Sequence, residues 1–240
     1  MRPPIYTMFL ICLLLISCQE PAKDGRAVVE HSIAYHDPQG QWPAFAERLY
    51  IKQETPGGSR QDVIEINLPG QYFKHSSTRD SVKTVRVVDG DAVRYSRNRQ
   101  TDLPDSLVVK YRLTDEQILR YRDYFTYLYG LPMKLRDLGT NIHPEVEQVT
   151  FYDRDALKVK VSYDEGVGED TWYFYFDPES YAMLAYQFFH DETANDGEYI
   201  LLEGEVKAGG LRLPGDRTWY TNKEEKLLGT DFLQKTESLN

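Results

Sequence analysis

The sequence predicts a mainly β protein with helices, of the α+β class. It should hold one antiparallel sheet of about ten or eleven strands, an N-terminal helix and one long inserted helix. Three observations carry this. Short segments of alternating or aromatic residues recur along the 240-residue chain, divided by Pro-Gly and Asp-Gly turns. The connections between them are too short for parallel crossovers. One run of helical periodicity, with signals at both ends, interrupts the strands.

The first expected element is a short helix from Asp24 to Tyr35, with Ala27, Val28, Ile33 and Ala34 on its apolar side, stopped by Pro38 and Gly40. Strands then follow at Leu49–Lys52 and Asp62–Leu68, around the Pro56-Gly57-Gly58 turn. Pro69-Gly70 leads into Tyr72–Lys74, and Val82–Val88 returns through the Asp89-Gly90 hairpin turn to Ala92–Tyr95. Residues 97–106 are polar and expected to be a loop. The long helix starts at Thr114, which forms a capping box with Gln117. Its face carries Ile118, Tyr121, Phe125 and Leu128, and Gly130 and Pro132 end it. Further strands are expected at Val146–Tyr152, Leu157–Tyr163, Trp172–Phe176, Leu184–Phe189, Tyr199–Val206, Leu211–Leu213, Thr218–Tyr220 and Leu227–Phe232. No repeat and no change of composition divides the mature chain, so residues 26–240 are taken as one domain.

Composition narrows the function. The chain is 41% hydrophobic, so it can build a core, and its 18 tyrosines dominate the aromatics. A formal charge of −10 with no basic block excludes general nucleic-acid binding. Arg2 and the apolar run Met8–Ile16 have the form of a secretory signal, too short for a permanent membrane span. The run ends in Leu15-Ile16-Ser17-Cys18, which resembles a bacterial lipobox. Residues 1–17 are then a lipoprotein signal peptide, and Cys18 is the lipidation site, carrying a covalent diacylglycerol and an acyl chain such as palmitate. No other cofactor is expected. Residues 18–25 form the lipidated cysteine and a polar tether. Cys12 leaves with the signal, so the mature chain has no pair of thiols for a disulfide. In the sorting pattern that this motif resembles, Gln19 after the cysteine implies the outer membrane.

Several segments resemble an uncharacterised family of Bacteroidota lipoproteins: Tyr35-His36-Asp37-Pro38 with Trp42, Tyr127–Leu135, Asp170–Pro178, and Gln187–Glu192 with Asn195–Tyr199. The order of elements is also similar to the LolA-like fold. That resemblance implies a strongly curved antiparallel half-barrel with the inserted helix as a lid, and acyl chains or lipoproteins as cargo of the concave face. This chain's own lipobox departs from a soluble carrier and is closer to anchored, lipid-binding relatives.

Strand parity then names the residues expected to line a concave face. Gln187 faces water, which turns Leu184, Tyr186 and Phe188 inward. Glu203 and Glu205 face out, leaving Ile200 and Leu202 inside. Trp172, Phe174 and Phe176 also point in, under Phe125 and Leu128 of the lid, with Tyr173 and Tyr175 outside. A dry packed core and a ligand cavity weigh about evenly here.

Catalytic motifs are absent: no nucleophile elbow, no HExxH, no P-loop and no dinucleotide fingerprint. No enzyme activity is therefore expected. Of the five histidines His31, His36, His75, His143 and His190, the His190-Asp191 neighbours are the best His–carboxylate pair, and a structural hydrogen bond is the favoured role. Charge is uneven: residues 137–240 hold 22 acids and 9 bases. Because meander turns alternate ends, the loops at 164–170 and 191–197 should share one rim. Asp164, Glu165, Asp191 and Asp196 are there a weak Ca²⁺ candidate against a plain solvated rim. Three readings of function result. The first is a membrane-anchored envelope lipoprotein that binds a lipid or another apolar ligand. The second is a structural or assembly lipoprotein with a filled core, acting on an envelope protein partner through its Tyr-rich surface. An envelope hydrolase comes last.

Overall fold

The computed structural model describes residues 24–239. The signal, Cys18 and the tether as far as Lys23 lie outside the described residues. The chain begins with α1 (Gly25–His36) and continues through β1 (Ala46–Thr55), β2 (Gly58–Asn67), β3 (Tyr72–Arg79), β4 (Val82–Asp89) and β5 (Ala92–Arg97). Then come α2 (Asp105–Lys110) and α3 (Asp115–Gly130), followed by β6 (Thr140–Phe151), β7 (Arg154–Tyr163), β8 (Thr171–Phe176) and β9 (Met183–Phe189). The last strands are β10 (Glu198–Ala208), β11 (Leu211–Thr221) and β12 (Leu227–Ser238).

The strands form one antiparallel sheet in the order β5-β4-β3-β2-β1-β12-β11-β10-β9-β8-β7-β6. Its two edges, β5 and β6, are consecutive in the chain. The segment that joins them carries α2 and α3 across the open side, so the sheet remains an open half-barrel. Local chemistry accounts for both larger helices. The Asp24 carboxylate accepts from the Ala27 N–H and starts α1, and the Thr114 hydroxyl accepts from the Gln117 N–H and starts α3. Among the described residues, no helix is long and apolar enough to cross a membrane.

One main core joins α1, α3 and the concave face of the sheet, with Val28, Ile33, Leu49, Ile64, Phe73, Phe125, Val159, Phe174 and Ile200 among its buried members. α1 lies against β6, β7 and β11, and α3 against β3, β4 and β5. His36, at the end of α1, is buried and fixes this packing. Its Nδ1 lies 2.6 Å from the Arg212 carbonyl and its Nε2 accepts from the Met183 N–H at 3.0 Å. That is the bonding of a neutral imidazole.

The structure departs from the sequence reading in four places. Gly25, the last residue expected in the tether, is buried inside α1, where a Cβ would run into the His143 carbonyl oxygen. Leu211–Leu213 and Thr218–Tyr220, expected as two strands, are one continuous strand, β11. Its pairing with β12 starts only at Asp216, so Pro214 sits where the strand has one neighbour, and its missing N–H breaks no ladder. The polar stretch 97–106 ends in the short helix α2. Last, Leu184 does not face inward. Tyr175 pairs with Ala185 and Phe176 with Met183, so a bulge skips Leu184 and reverses the parity before it. Leu184 packs instead in a second cluster on the other face, with Ala156, Tyr175 and Ala185. The tip of the β6–β7 hairpin covers that face. Phe151 stacks on Tyr175 at 3.9 Å, and Tyr152 stacks on Tyr199 at 4.8 Å.

Candidate functional site

A cavity of about 1160 Å³ lies beneath α3, lined on one side by β1–β3 residues such as Gln53, Ile66 and Phe73 and on the other by β8–β12. It is the part of the concave face that neither helix fills. This volume exceeds what small-molecule sites usually occupy, roughly 300–1,000 Å³. Sheet register builds its wall. Phe188 of β9 stands directly between Trp172 of β8 and Glu198 of β10, and Ile200 of β10 separates Tyr186 of β9 from Trp219 of β11. From α3 come Tyr124, Tyr127 and Leu128.

The expected lining residues divide in two. Leu128, Trp172, Tyr186 and Phe188 are on the cavity wall. Phe125, Phe174, Phe176, Ile200 and Leu202 are packed in the core behind it, with at most 6% of their surface exposed. Phe125 is taken up by the N-terminal half of the sheet, against Phe73 and His75. Leu184, as described, lies on the opposite face.

Sequence reasoning missed Tyr124, Tyr127, Tyr163 and Trp219. Tyr124 leaves 47% of its surface open, yet burial raises its pKa well above the ordinary tyrosine value. The two observations agree if that surface faces an internal void. Tyr127 and Tyr163 join through their hydroxyls, and burial lifts both, Tyr163 to about 12. Both phenols stay neutral, so the wall is aromatic and uncharged at this point. The signal for the helical pair was present: Tyr124 and Tyr127 are three residues apart, next to the apolar face. Trp219 was hidden by the division of β11 into two expected strands.

At the cavity mouth the two loops predicted to share a rim do meet, through His190. Its partner is not the neighbouring Asp191 but Asp170, with Nδ1 2.6 Å from Oδ1. That bond raises the His190 pKa. The Asp191 carboxylate instead caps its own loop by accepting from Thr193, and Asp196 accepts from the Asp191 N–H. Asp164 accepts from Asn141. Among the described residues, no three His, Cys, Asp or Glu side chains come together as metal ligands. The candidate acids Asp164, Glu165, Asp191 and Asp196 do not form such a group: Asp191 and Asp196 bond within their own loop, and Asp164 bonds Asn141 of β6.

Most charges on the wall are paired. Arg122 bonds Asp123, Lys134 bonds Asp137, and His190 bonds Asp170. Asp231 accepts from the Gln53 amide at 2.8 Å and faces Arg217 across the β11–β12 ladder. Glu198 is half-buried on the wall with neither an ion pair nor a side-chain hydrogen bond among the described residues, and burial raises its pKa.

The model of a family described as of unknown function, DUF6503, matches residues 5–235, so the chain belongs to that family. Among solved structures, the chain is similar to a LolA superfamily protein from Nitrosomonas europaea. The identity is 9%, with 91% of this chain and 95% of that chain covered and a TM-score of 0.51. It is also similar to a DUF1329 family protein from Desulfovibrio piger, at 8% identity, 90% and 94% coverage and a TM-score of 0.51. At these identities the likeness is one of fold, the open LolA-type half-barrel. A comparison with curated proteins finds no match.

Proposed function

We propose that this DUF6503 member is an envelope lipoprotein, anchored through acylated Cys18 in the outer membrane, that binds a lipid or another apolar ligand in its half-barrel. One observation carries the binding reading: beneath α3 the concave face holds a solvent-open cavity of about 1160 Å³, with Trp172, Phe188, Tyr127, Tyr186 and Trp219 among its lining residues. A structural lipoprotein with a filled core would have no use for it. An aromatic wall left to water forfeits burial that an apolar ligand would supply. Filling the cavity with hydrocarbon recovers about 25 cal/mol for each Å² of apolar surface removed from water. Binding needs no covalent step. The LolA-type fold agrees with this reading, and Leu15–Cys18 supports the anchor.

Lipid extraction and native mass spectrometry of the protein purified from membranes test the proposal. A co-purifying amphiphile near one per chain is expected, together with saturable binding of an uncharged fluorescent hydrocarbon probe. A protein that carries no extractable lipid and never saturates with the probe would leave the filled-core, partner-binding lipoprotein as the better reading.

A further inference from the structure

The charges on the cavity wall discriminate between ligand heads. Each cation there, Arg122, Lys134 and His190, already has a carboxylate. An incoming carboxylate or phosphate would have to share a cation with the carboxylate it already holds. The wall's unpaired charge is negative. Glu198 sits half-buried beside Phe188, its direct cross-strand neighbour, with Trp172 one strand further on. On its other side Glu198 pairs with Thr221, which brings Trp219, two residues away on the same face, to the diagonal position. All four side chains line the cavity. A carboxylate set among aromatic faces in a partly dehydrated site suits one chemistry above others: a soft cation, drawn by the ring faces as well as by the charge.

Resting on the reading of the cavity as a ligand site, we infer that it takes an amphiphile with a cationic, ammonium-type head. The head is seated on Glu198 among Phe188, Trp172 and Trp219, and the hydrocarbon part occupies the rest of the cavity. Burial raises the Glu198 pKa, and His190, whose own hydrogen bond goes to Asp170, offsets this only in part. A bound ammonium would supply a counter-ion and remove the burial penalty that the unliganded site carries.

Three probes of equal chain length test this on the purified full-length protein, at one fixed nonionic-detergent concentration and 0.15 M salt: dodecyltrimethylammonium, dodecanol and dodecanoate. Trp172 and Trp219 on the wall provide the fluorescence signal. The ammonium probe should bind about tenfold tighter than the alcohol, and dodecanoate weaker than both. Glu198→Gln, which keeps the shape, should remove the ammonium preference and leave alcohol binding unchanged. Glu203→Gln, an exposed acid of the same strand, changes the net charge equally and should alter nothing. Equal binding of all three probes, a preference for dodecanoate, or an ammonium preference that survives Glu198→Gln would overturn the cationic-head assignment while the apolar-ligand reading stands. Failure of every probe to bind would overturn both.

Discussion

Two phenylalanines that the sequence places on one concave face should behave differently when truncated. Phe174 has no exposed surface, and Trp172, Phe176 and Tyr186 surround it at ring separations of 6.0, 6.4 and 6.2 Å. Phe174→Ala opens a new void in a close-packed region and should cost about 3–5 kcal/mol. Phe188 is partly buried and stands on the cavity wall, 4.9 Å from Trp172. Its truncation enlarges a void that already exists. Only the transfer part is then lost, scaled down by partial exposure, about 1–2 kcal/mol. Urea unfolding measures both as a shift of midpoint at constant slope. Titration with an uncharged fluorescent hydrocarbon probe adds the second axis: Phe188→Ala should weaken binding several-fold, while Phe174→Ala, below its own unfolding transition, should leave it almost unchanged. Equal losses of stability at the two positions would mean that the void collapses in solution, and the reasoning from wall to ligand would fail.

Burial lowers the His36 pKa, because its two ring nitrogens are committed as a neutral imidazole. The unfolded chain takes up that proton first as pH falls below about 6.5. The contribution is therefore complete above that pH and shrinks as pH falls toward the folded-state pKa. The urea midpoint of the wild type should drop over this range, and His36→Gln should be less stable at pH 7.5 with a flatter pH profile. Gly25→Ala forces a Cβ into the His143 carbonyl oxygen and should cost about 1–3 kcal/mol, read by thermal melting; an unchanged melt would mean that α1 is not docked on β6. Cys18→Ala should abolish fatty-acid labelling and move the protein out of the membrane fraction. Persistent labelling of the variant would place the anchor elsewhere.

Legibility along this chain followed how local each determinant is. The ends of α3 were visible because the Thr114 cap acts within one helical turn and Pro132 follows just beyond the last helical residue, Gly130. The shared rim of the 164–170 and 191–197 loops was visible because alternation in a meander needs only a count of strands. Leu184 was misplaced because one skipped residue inverts parity, and nothing in Ala182-Met183-Leu184-Ala185 announces a bulge. Tyr175 was correctly set on the outer face but not recognised as buried, since its cover, Phe151, arrives from a strand two positions away in the sheet. Local pattern carries no information on such a contact. The cavity itself belongs to the same class: it is fixed by where α1 and α3 stop, not by any residue's own preference.

The attachment of α3 also determines which side of the cavity can yield to a ligand. On the side of β3–β5 the helical segment is tied down by a buried cation. Arg86 donates to the Tyr111 carbonyl at 2.6 Å and to the Arg112 carbonyl at 3.3 Å, and lies 4.2 Å from the Tyr121 ring centre. His75 stacks on the same ring at 5.3 Å. Lifting that edge would strand a buried guanidinium, at a cost of about 3–5 kcal/mol. On the opposite side Tyr124 meets Trp219 only ring to ring, at 6.5 Å, and Tyr127 holds Tyr163 through one phenol pair and meets Trp172 edge-on at 5.7 Å. Displacing those contacts costs about 0.5–1.5 kcal/mol each. The difference favours entry past Tyr124 and Tyr127, the edge that borders the wall of Phe188, Glu198 and Trp219, with Arg86 keeping the helix on the sheet while its aromatic edge gives way.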